Sequence, residues 1–367
     1  MKIYLSSYLN NNLGDDLMIK LICERYPNHD FFVSNTNNLY DVACKCSNLH
    51  IIKSITPCKN DVLRRMFNKF ISYFNVPKIQ IIKEFKSKKY DVNLELGGSI
   101  FMQVTPKSWI NKIRDAEYIV NHCDYNMIVN SNFGPFFTTE FHAKHQELFK
   151  NYDIVIFRDL TSYKMFSCLN NVKCYPDIVF NIPFTHIKSC RKRVGISVIS
   201  LNNKGIRDNK DKYITGIVSL IKAIRKKYEK YAIVLLSFCE NEGDLDACKL
   251  IIDKGGFLQH EIEIFNHTDV EDSIRFFSDI SAMVCTRFHA NILAIALRIP
   301  FIPVIYSNKI SDMLEDFGYV GYRWNIKEGD NISIEAAIEL LNKTPDINYK
   351  KMEEAMGHLT LIDRVLA

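Results

Sequence analysis

Short apolar runs alternate with longer segments of helical periodicity along almost the whole chain. KIYLS (2–6), DFFVS (30–34), LHII (49–52), VNLEL (92–96), MIVNS (127–131) and DIVIF (153–157) form a first set. RVGISVI (193–199), AIVLLSF (232–238), EIEIF (261–265), SAMVC (281–285) and FIPVI (301–305) form a second. Between them lie helix-like stretches at 14–26, 61–74, 139–150, 211–229, 269–278 and 289–298. This alternation predicts α/β architecture in two doubly wound, Rossmann-like domains with largely parallel sheets. AIVLLSF and AMVC are apolar without a break, as strands covered on both faces are. The break between the halves is placed near 180–192, where a proline, polar residues and a basic cluster separate two good strands. The expected units are an N-terminal α/β domain over 1–185, a C-terminal one over 186–345 and a helical tail over 346–367.

Composition narrows the class. Apolar residues make up 47% of the 367 and charged residues 24%, enough for ordinary globular cores and too much for a disordered or collagen-like chain. A net charge of +5 is too small for a dedicated nucleic-acid binder. The most apolar stretch, 280–306, is interrupted by Arg287, His289 and Arg298 and broken by Pro300 and Pro303, so no spanning helix is expected. The first residues carry too short an apolar patch for a secretory signal. The eleven cysteines, an odd number with several inside apolar runs, read as buried free thiols of a reducing cytoplasm. Cys44 and Cys46 have no second pair at zinc spacing, so no metal is expected.

In open parallel sheets, ligands sit beyond the carboxyl ends of the strands, which directs attention to the loops there. Asn12-Leu13-Gly14-Asp15-Asp16 follows the first strand and opens a helix. It can either cap that helix or let a ligand approach its N-terminus. Gly97-Gly98-Ser99 is either a plain turn or a close-approach loop. Arg158, ending DIVIF and followed by Asp159 and Ser162, either pairs with a nearby carboxylate or reaches an anion in the cleft. Arg287 and His289 flank Phe288 where SAMVC runs into a helix, a place that favours an anion.

These residues fall in an order that resembles the polysaccharide pyruvyltransferase family. The matching positions are Asn12-Leu13-Gly14-Asp15, Gly97-Gly98, Gly134-Pro135-Phe136, Arg158-Asp159-Leu160-Thr161-Ser162, Pro176-Asp177, Arg287-Phe288-His289-Ala290 and Tyr306-Ser307-Asn308-Lys309, spread over about 2–316. The glycine turn has two glycines where many relatives have three. The resemblance implies two domains facing a cleft, similar to glycosyltransferase B, and ketal transfer from phosphoenolpyruvate to a sugar of a surface polysaccharide or its lipid-linked precursor. No cofactor is implied, the donor being a substrate.

That chemistry suits the residues. Phosphoenolpyruvate carries a phosphate and a carboxylate, which Arg158 and Arg287 would clamp across the cleft, with Lys309 as a further donor ligand or else paired to Asp312 or Asp316. His289 is expected to transfer a proton or to donate to the phosphate, and Asp15 or Asp16 to accept a proton from the sugar hydroxyl. Asn12, Gly14, Gly97 and Gly98 would supply loop contacts. His122, His142 and His145 are given surface or helix positions.

Two competing readings share the architecture. A nucleotide-sugar glycosyltransferase would place a carboxylate such as Glu240 or Asp244 on the donor ribose, and a non-enzymatic module would have no need of cations at strand ends. Finally, Arg64 to Lys89 holds eight basic residues and one acidic residue among interleaved aromatics. It reads as a solvated helix pair or as a peripheral contact with an anionic membrane at the inner face.

Overall fold

The computed structural model describes residues 1–35, 45–53, 78–184, 192–203, 205–258 and 260–367. A first sheet has seven parallel strands: β1 (Lys2–Ser6), β2 (Asp30–Asn35), β3 (Leu49–Lys53), β4 (Val92–Leu96), β5 (Tyr125–Ser131), β6 (Ile154–Phe157) and β7 (Val172–Cys174). Their spatial order is β3-β2-β1-β4-β5-β6-β7. The second sheet has five: β8 (Arg193–Val198), β9 (Ala232–Ser237), β10 (Glu263–Asn266), β11 (Ile280–Cys285) and β12 (Phe301–Pro303), ordered β10-β9-β8-β11-β12. All pairings within both sheets are parallel.

Each sheet therefore starts at its middle and winds outward in both directions. The strand order reverses between β1 and β4 in one sheet and between β8 and β11 in the other. Adjacent loops leave such a switch point toward opposite faces, opening a crevice at the strands' carboxyl ends.

The helices among the described residues are α1 (Leu13–Arg25), α2 (Ile79–Ser87), α3 (Ile110–Val120), α4 (Thr139–Phe149), α5 (Leu160–Phe166), α6 (Lys210–Lys227), α7 (Asp244–Gly255), α8 (Val270–Ser278), α9 (Phe288–Ala296), α10 (Asn308–Asp316), α11 (Ile334–Leu340) and α12 (Met356–Leu366). The central strands are apolar on both faces because helices cover both, as the continuous hydrophobic runs required. One apolar cluster joins the two sheets through α1, β1, β8 and α9. A second, aromatic cluster of Phe101, Phe133, Phe141, Phe149, Phe157 and Phe166 fills the space behind β5 and β6.

The chain does not end on the second sheet. Helix α12 returns to the first, where Asp363 takes Arg25 and Tyr26, each at 2.7 Å, and His358 Nε2 donates to the Pro176 carbonyl at 3.0 Å.

No helix among the described residues is long and apolar enough to cross a membrane. Residues 54–77 of the basic, aromatic stretch lie outside the described residues. Within the remainder, Phe85 is buried against Tyr4 and Tyr90, while Lys83, Lys86 and Lys89 are exposed. Cys23, Cys239, Cys248 and Cys285 are buried, and Cys44, Cys58 and Cys190 fall outside the described residues.

Candidate active site

Five polar side chains meet at the carboxyl ends of β5, β6 and β7 in the first sheet and β11 in the second. The hub is Asp177, just after β7. Its Oδ1 accepts the Val179 amide at 3.0 Å, and its Oδ2 accepts Arg158 Nη1 at 2.8 Å and Asn130 Nδ2 at 3.2 Å. His289 Nε2 stands 3.7 Å from the same oxygen. Arg158 and Asp177 are 3% and 2% exposed at the side chain, so neither charge is tolerable without the other. Burial pushes the Asp177 carboxyl up, but His289 and Arg158 outweigh it and hold the group well below the usual carboxylate range.

Arg158 is held as a flat plate. Its Nη2 donates to Asn132 Oδ1 at 3.0 Å, and its Cζ lies 4.0 Å from the centre of the Phe288 ring, which comes from the second sheet. The other face lies on Gly98, where an added Cβ would sit 2.3 Å from Nη2. Gly14 does the same for His289: a Cβ there would fall 1.8 Å from Nδ1. Both glycines thus make room for side chains of this chain. Asn12, likewise, caps α1 by accepting the Gly14 amide at 3.1 Å.

His289 is nearly enclosed, with 12% of its side chain exposed. Burial lowers its pKa, Asp177 raises it, and Arg158 and Lys309 lower it again, for a net fall. The N-terminal turns of α1 and α9 add a positive potential that disfavours a second proton. The ring is neutral at neutral pH.

Asp15 lies one residue on from Gly14, its Oδ1 facing Gly97. It is pushed up to about 8, first by burial and then by Asp16, with Glu242 adding to this and Arg158 and Lys309 opposing it. Near neutral pH it is therefore a carboxylic acid rather than a carboxylate. Lys309 lies 5.8 Å from the Phe288 ring centre and 5.9 Å from that of Tyr306. Among the described residues it has no ion pair, so the expected alternative of a bridge to Asp312 or Asp316 is not formed.

Arg287 departs from expectation. Its Nε and Nη2 grip Asp244 at 2.8 and 2.5 Å, and its Nη1 meets Glu242 at 2.6 Å. One guanidinium facing two carboxylates has no charge left for an anion, so the anticipated two-arginine clamp is not formed. Asp244 is fully buried and also accepts the Ser200 and Cys239 amides, at 3.0 and 3.1 Å. It is spent on holding loops and is not offered to a ribose. Glu240 accepts Asn266 Nδ2 at 2.6 Å.

The other motif positions are scaffolding. Asp159 caps α5 through the Ser162 amide, and the Ser162 hydroxyl both donates to Asp159 and accepts the Phe133 amide at 2.7 Å. Phe136 stacks on Phe141 in the aromatic cluster. His145 is buried in that cluster and pushed down to about 4 by burial. Sequence reasoning left Asp177, Asn130, Asn132 and Phe288 out of the site. The signal for Asp177 was present in the Pro176-Asp177 pair, whereas the asparagines carried none. No group of three or more His, Cys, Asp or Glu among the described residues is placed to hold a metal ion.

A family model described as polysaccharide pyruvyl transferase matches residues 12–308. No curated protein matches the chain. Several solved structures share its fold. UDP-GlcNAc 2-epimerase from Methanocaldococcus jannaschii is 13% identical with a TM-score of 0.58, covering 99% of each chain. The enzyme of that name from Neisseria meningitidis, bound to UDP-GlcNAc, is 10% identical at 0.61 over the whole of both chains. Anabaena Alr3699/HepE, in complex with UDP and glucose, is 12% identical at 0.56, covering 99% of this chain and 97% of that one. At such identities the likeness shows a glycosyltransferase B-type fold and nothing of the substrate.

Proposed function

The chain belongs to the polysaccharide pyruvyl transferase family, and from that premise and the charges in its cleft we propose that it forms a pyruvate ketal on a sugar of a surface polysaccharide or its lipid-linked precursor, with phosphoenolpyruvate as donor. The observation that carries this reading is the family match over residues 12–308, and the cleft supports it by gathering Asp15, whose carboxyl burial and Asp16 push up to about 8, with Arg158, Lys309 and His289, whose pKa burial lowers.

Arg158 binds one anionic group of the donor with the part of its fork that Asp177 and Asn132 leave over, and Lys309 neutralises the other. Asp15 delivers its proton to the C3 methylene, which leaves C2 with oxocarbenium character. A sugar hydroxyl attacks C2 while its proton passes to His289, whose neutral ring is a base. The bond from C2 to the phosphate oxygen then breaks, and His289 returns its proton to the departing phosphate. A second hydroxyl closes the ring at C2 and reloads Asp15. Donor and diol become ketal and phosphate, with both proton carriers restored. The order differs from the expectation that Asp15 is the base, because an acid that holds its proton up to about pH 8 is suited to give it first.

Incubation with phosphoenolpyruvate and a panel of glycan acceptors tests this. Phosphate release with ketal-bearing product by mass spectrometry is expected. Nucleotide release from a UDP-sugar, with phosphoenolpyruvate inert, would overturn the reading in favour of a glycosyltransferase.

A further inference from the structure

The family match ends at residue 308, yet the hub of the site is reached by a side chain well beyond it. His358, in the first turn of α12, is fully buried, and its Nε2 lies 3.0 Å from the carbonyl oxygen of Pro176. A carbonyl only accepts, so Nε2 carries the hydrogen. That oxygen belongs to the planar peptide unit that joins Pro176 to Asp177. Holding it fixes the plane from which the Asp177 side chain departs.

The same carboxyl-terminal segment grips the loop on both sides of Asp177. Before it, Gly357 packs so closely on the Tyr175 ring that an added Cβ would overlap it. After it, Asn181 Nδ2 donates to the Ala355 carbonyl, just ahead of α12, at 3.0 Å. From within its own half the turn is tied by the Val179 amide to Asp177 Oδ1 and by the Ile178 amide to Asn130 Oδ1, at 3.0 and 2.8 Å. The far end of α12 is seated on that half too, through Asp363 with Arg25 and Tyr26 and through the Leu366 carbonyl, 2.6 Å from His29 Nε2. Arg158 and Asp177 border a cavity of about 50 Å³ lined also by Tyr175, Pro176, Phe288 and Phe317. Side chains along a void lose contacts on that side, so directed hydrogen bonds rather than packing alone place the pair.

We propose that His358 is a positioning residue of the site: by holding the Pro176 carbonyl it sets the place of Asp177, and through Asp177 the fork of Arg158 that takes the donor. This rests on the functional reading above. Asp177 and Arg158 are joined at 2.8 Å with both side chains almost wholly buried, so a shift of the first carries the second with it. His358 touches no reacting atom, and none of the steps proposed above uses it. Its effect is therefore on donor binding, and the carboxyl-terminal helix is a working part of a site whose other residues lie between 12 and 309.

The test pairs two measurements on the full chain: hydrogen exchange of the amides at 178–181 by mass spectrometry, with no ligand, and phosphoenolpyruvate binding by calorimetry. His358→Leu keeps the bulk and removes the donor. It should speed the exchange and weaken phosphoenolpyruvate, each about tenfold. His358→Gln, whose amide nitrogen reaches the place of Nε2, should return both to within about threefold of wild type. Asp363→Ala loosens the far end of α12 and should lower the melting temperature without changing the affinity. Should His358→Leu not fold, His358→Asn, whose amide falls short of the Pro176 carbonyl, replaces it with the same expectations. Wild-type exchange and affinity in His358→Leu overturn the proposal. No rescue by glutamine, or an equal loss of affinity in Asp363→Ala, also overturns it, by reducing the effect to general stability. A wild-type protein that does not bind phosphoenolpyruvate, with the exchange moving as stated, counts against the functional reading and supports the hold of His358 on Asp177.

Discussion

Gly14→Ala is the sharpest test of where the chemistry lies, because it removes no functional side chain and adds a single methyl. That methyl would lie 1.8 Å from His289 Nδ1, 2.3 Å from Cε1 and 2.4 Å from Cγ. Ordinary contact needs about 3.5 Å, so the ring must retreat by roughly 1.5 Å or more. It cannot retreat freely, since His289 sits in the first turn of α9 and the adjoining Phe288 packs on Arg158. The imidazole therefore leaves its seat between Gly14 and Asp177. A displacement of about 1 Å in a proton-transfer group costs on the order of a hundredfold in rate.

The fold should survive. Overpacking costs about 1–3 kcal/mol, partly offset by the roughly 0.5–1 kcal/mol gained from alanine in a helix. The expected result is turnover down about 10²-fold, phosphoenolpyruvate affinity within a few-fold of wild type and a melting temperature a few degrees lower at most. The decisive comparison is with His289→Ala. If the methyl acts only through the imidazole, Gly14→Ala should cost almost nothing more in that background. Wild-type turnover in Gly14→Ala, or losses that simply add in the double variant, would refute the reasoning.

Arg158→Ala should weaken phosphoenolpyruvate roughly ten- to a hundredfold by calorimetry, and Arg158→Lys should recover little, because Asp177, Asn132 and the ligand together need a planar fork. A lysine variant binding like wild type would remove that argument. Arg287→Ala should act on stability first, costing about 3–5 kcal/mol in denaturant unfolding by stranding buried Asp244, and Asp244→Asn in the same chain should restore part of it. An Arg287→Ala protein that unfolds like wild type would return Arg287 to the list of ligand candidates. Asp15 binds its proton more tightly folded (about 8) than unfolded (3.8), so its contribution to stability is complete below pH 3.8 and is lost as pH rises through 8. Asp15→Asn should therefore be inactive yet more stable than wild type at pH 9, on the order of 2–5 kcal/mol, with the gap closing toward pH 4. Parallel stability curves for the two proteins would show that Asp15 titrates normally.

The strands, and the placing of the candidate residues at their carboxyl ends, were legible because both are written locally. VNLEL at 92–96 and KIYLS at 2–6 coincide with β4 and β1 residue for residue. What a side chain does at the site was not local. Arg158 is 19 residues from Asp177 and Arg287 is 43 from Asp244, pairings made only when parallel strands bring separate loops side by side. The sequence shows two arginines after two strands, and nothing in it says that one meets a single carboxylate and the other meets two. The glycines are read in part for the same reason. A gap beside a backbone is visible in sequence as Gly14 or Gly98, but what fills the gap, here His289 and Arg158, is set by tertiary packing. Nothing local marks the contact of Asp16 with His267, 251 residues apart.

The difference between the arginines also gives the cleft a direction. Around Arg158, with Asp15 and His289 uncharged, the cations Arg158 and Lys309 face the single anion Asp177, a surplus of one positive charge. Around Arg287, the anions Asp244 and Glu242 face one cation, a surplus of one negative charge. On the proposed reading these surpluses sort the two substrates. A donor carrying phosphate and carboxylate is drawn to the Arg158 side and repelled from the Glu242 side. An uncharged sugar, presenting hydroxyls that donate hydrogen bonds, is compatible with Glu242 and with Tyr8, whose hydroxyl takes a hydrogen bond from Asn10 at 2.9 Å. Asp15 feels both sides, lowered by Arg158 and Lys309 and raised by Glu242. An acid at that boundary is within the field of the donor's cations and the acceptor's carboxylate alike, which is where a proton must be exchanged between an enol carbon and a hydroxyl.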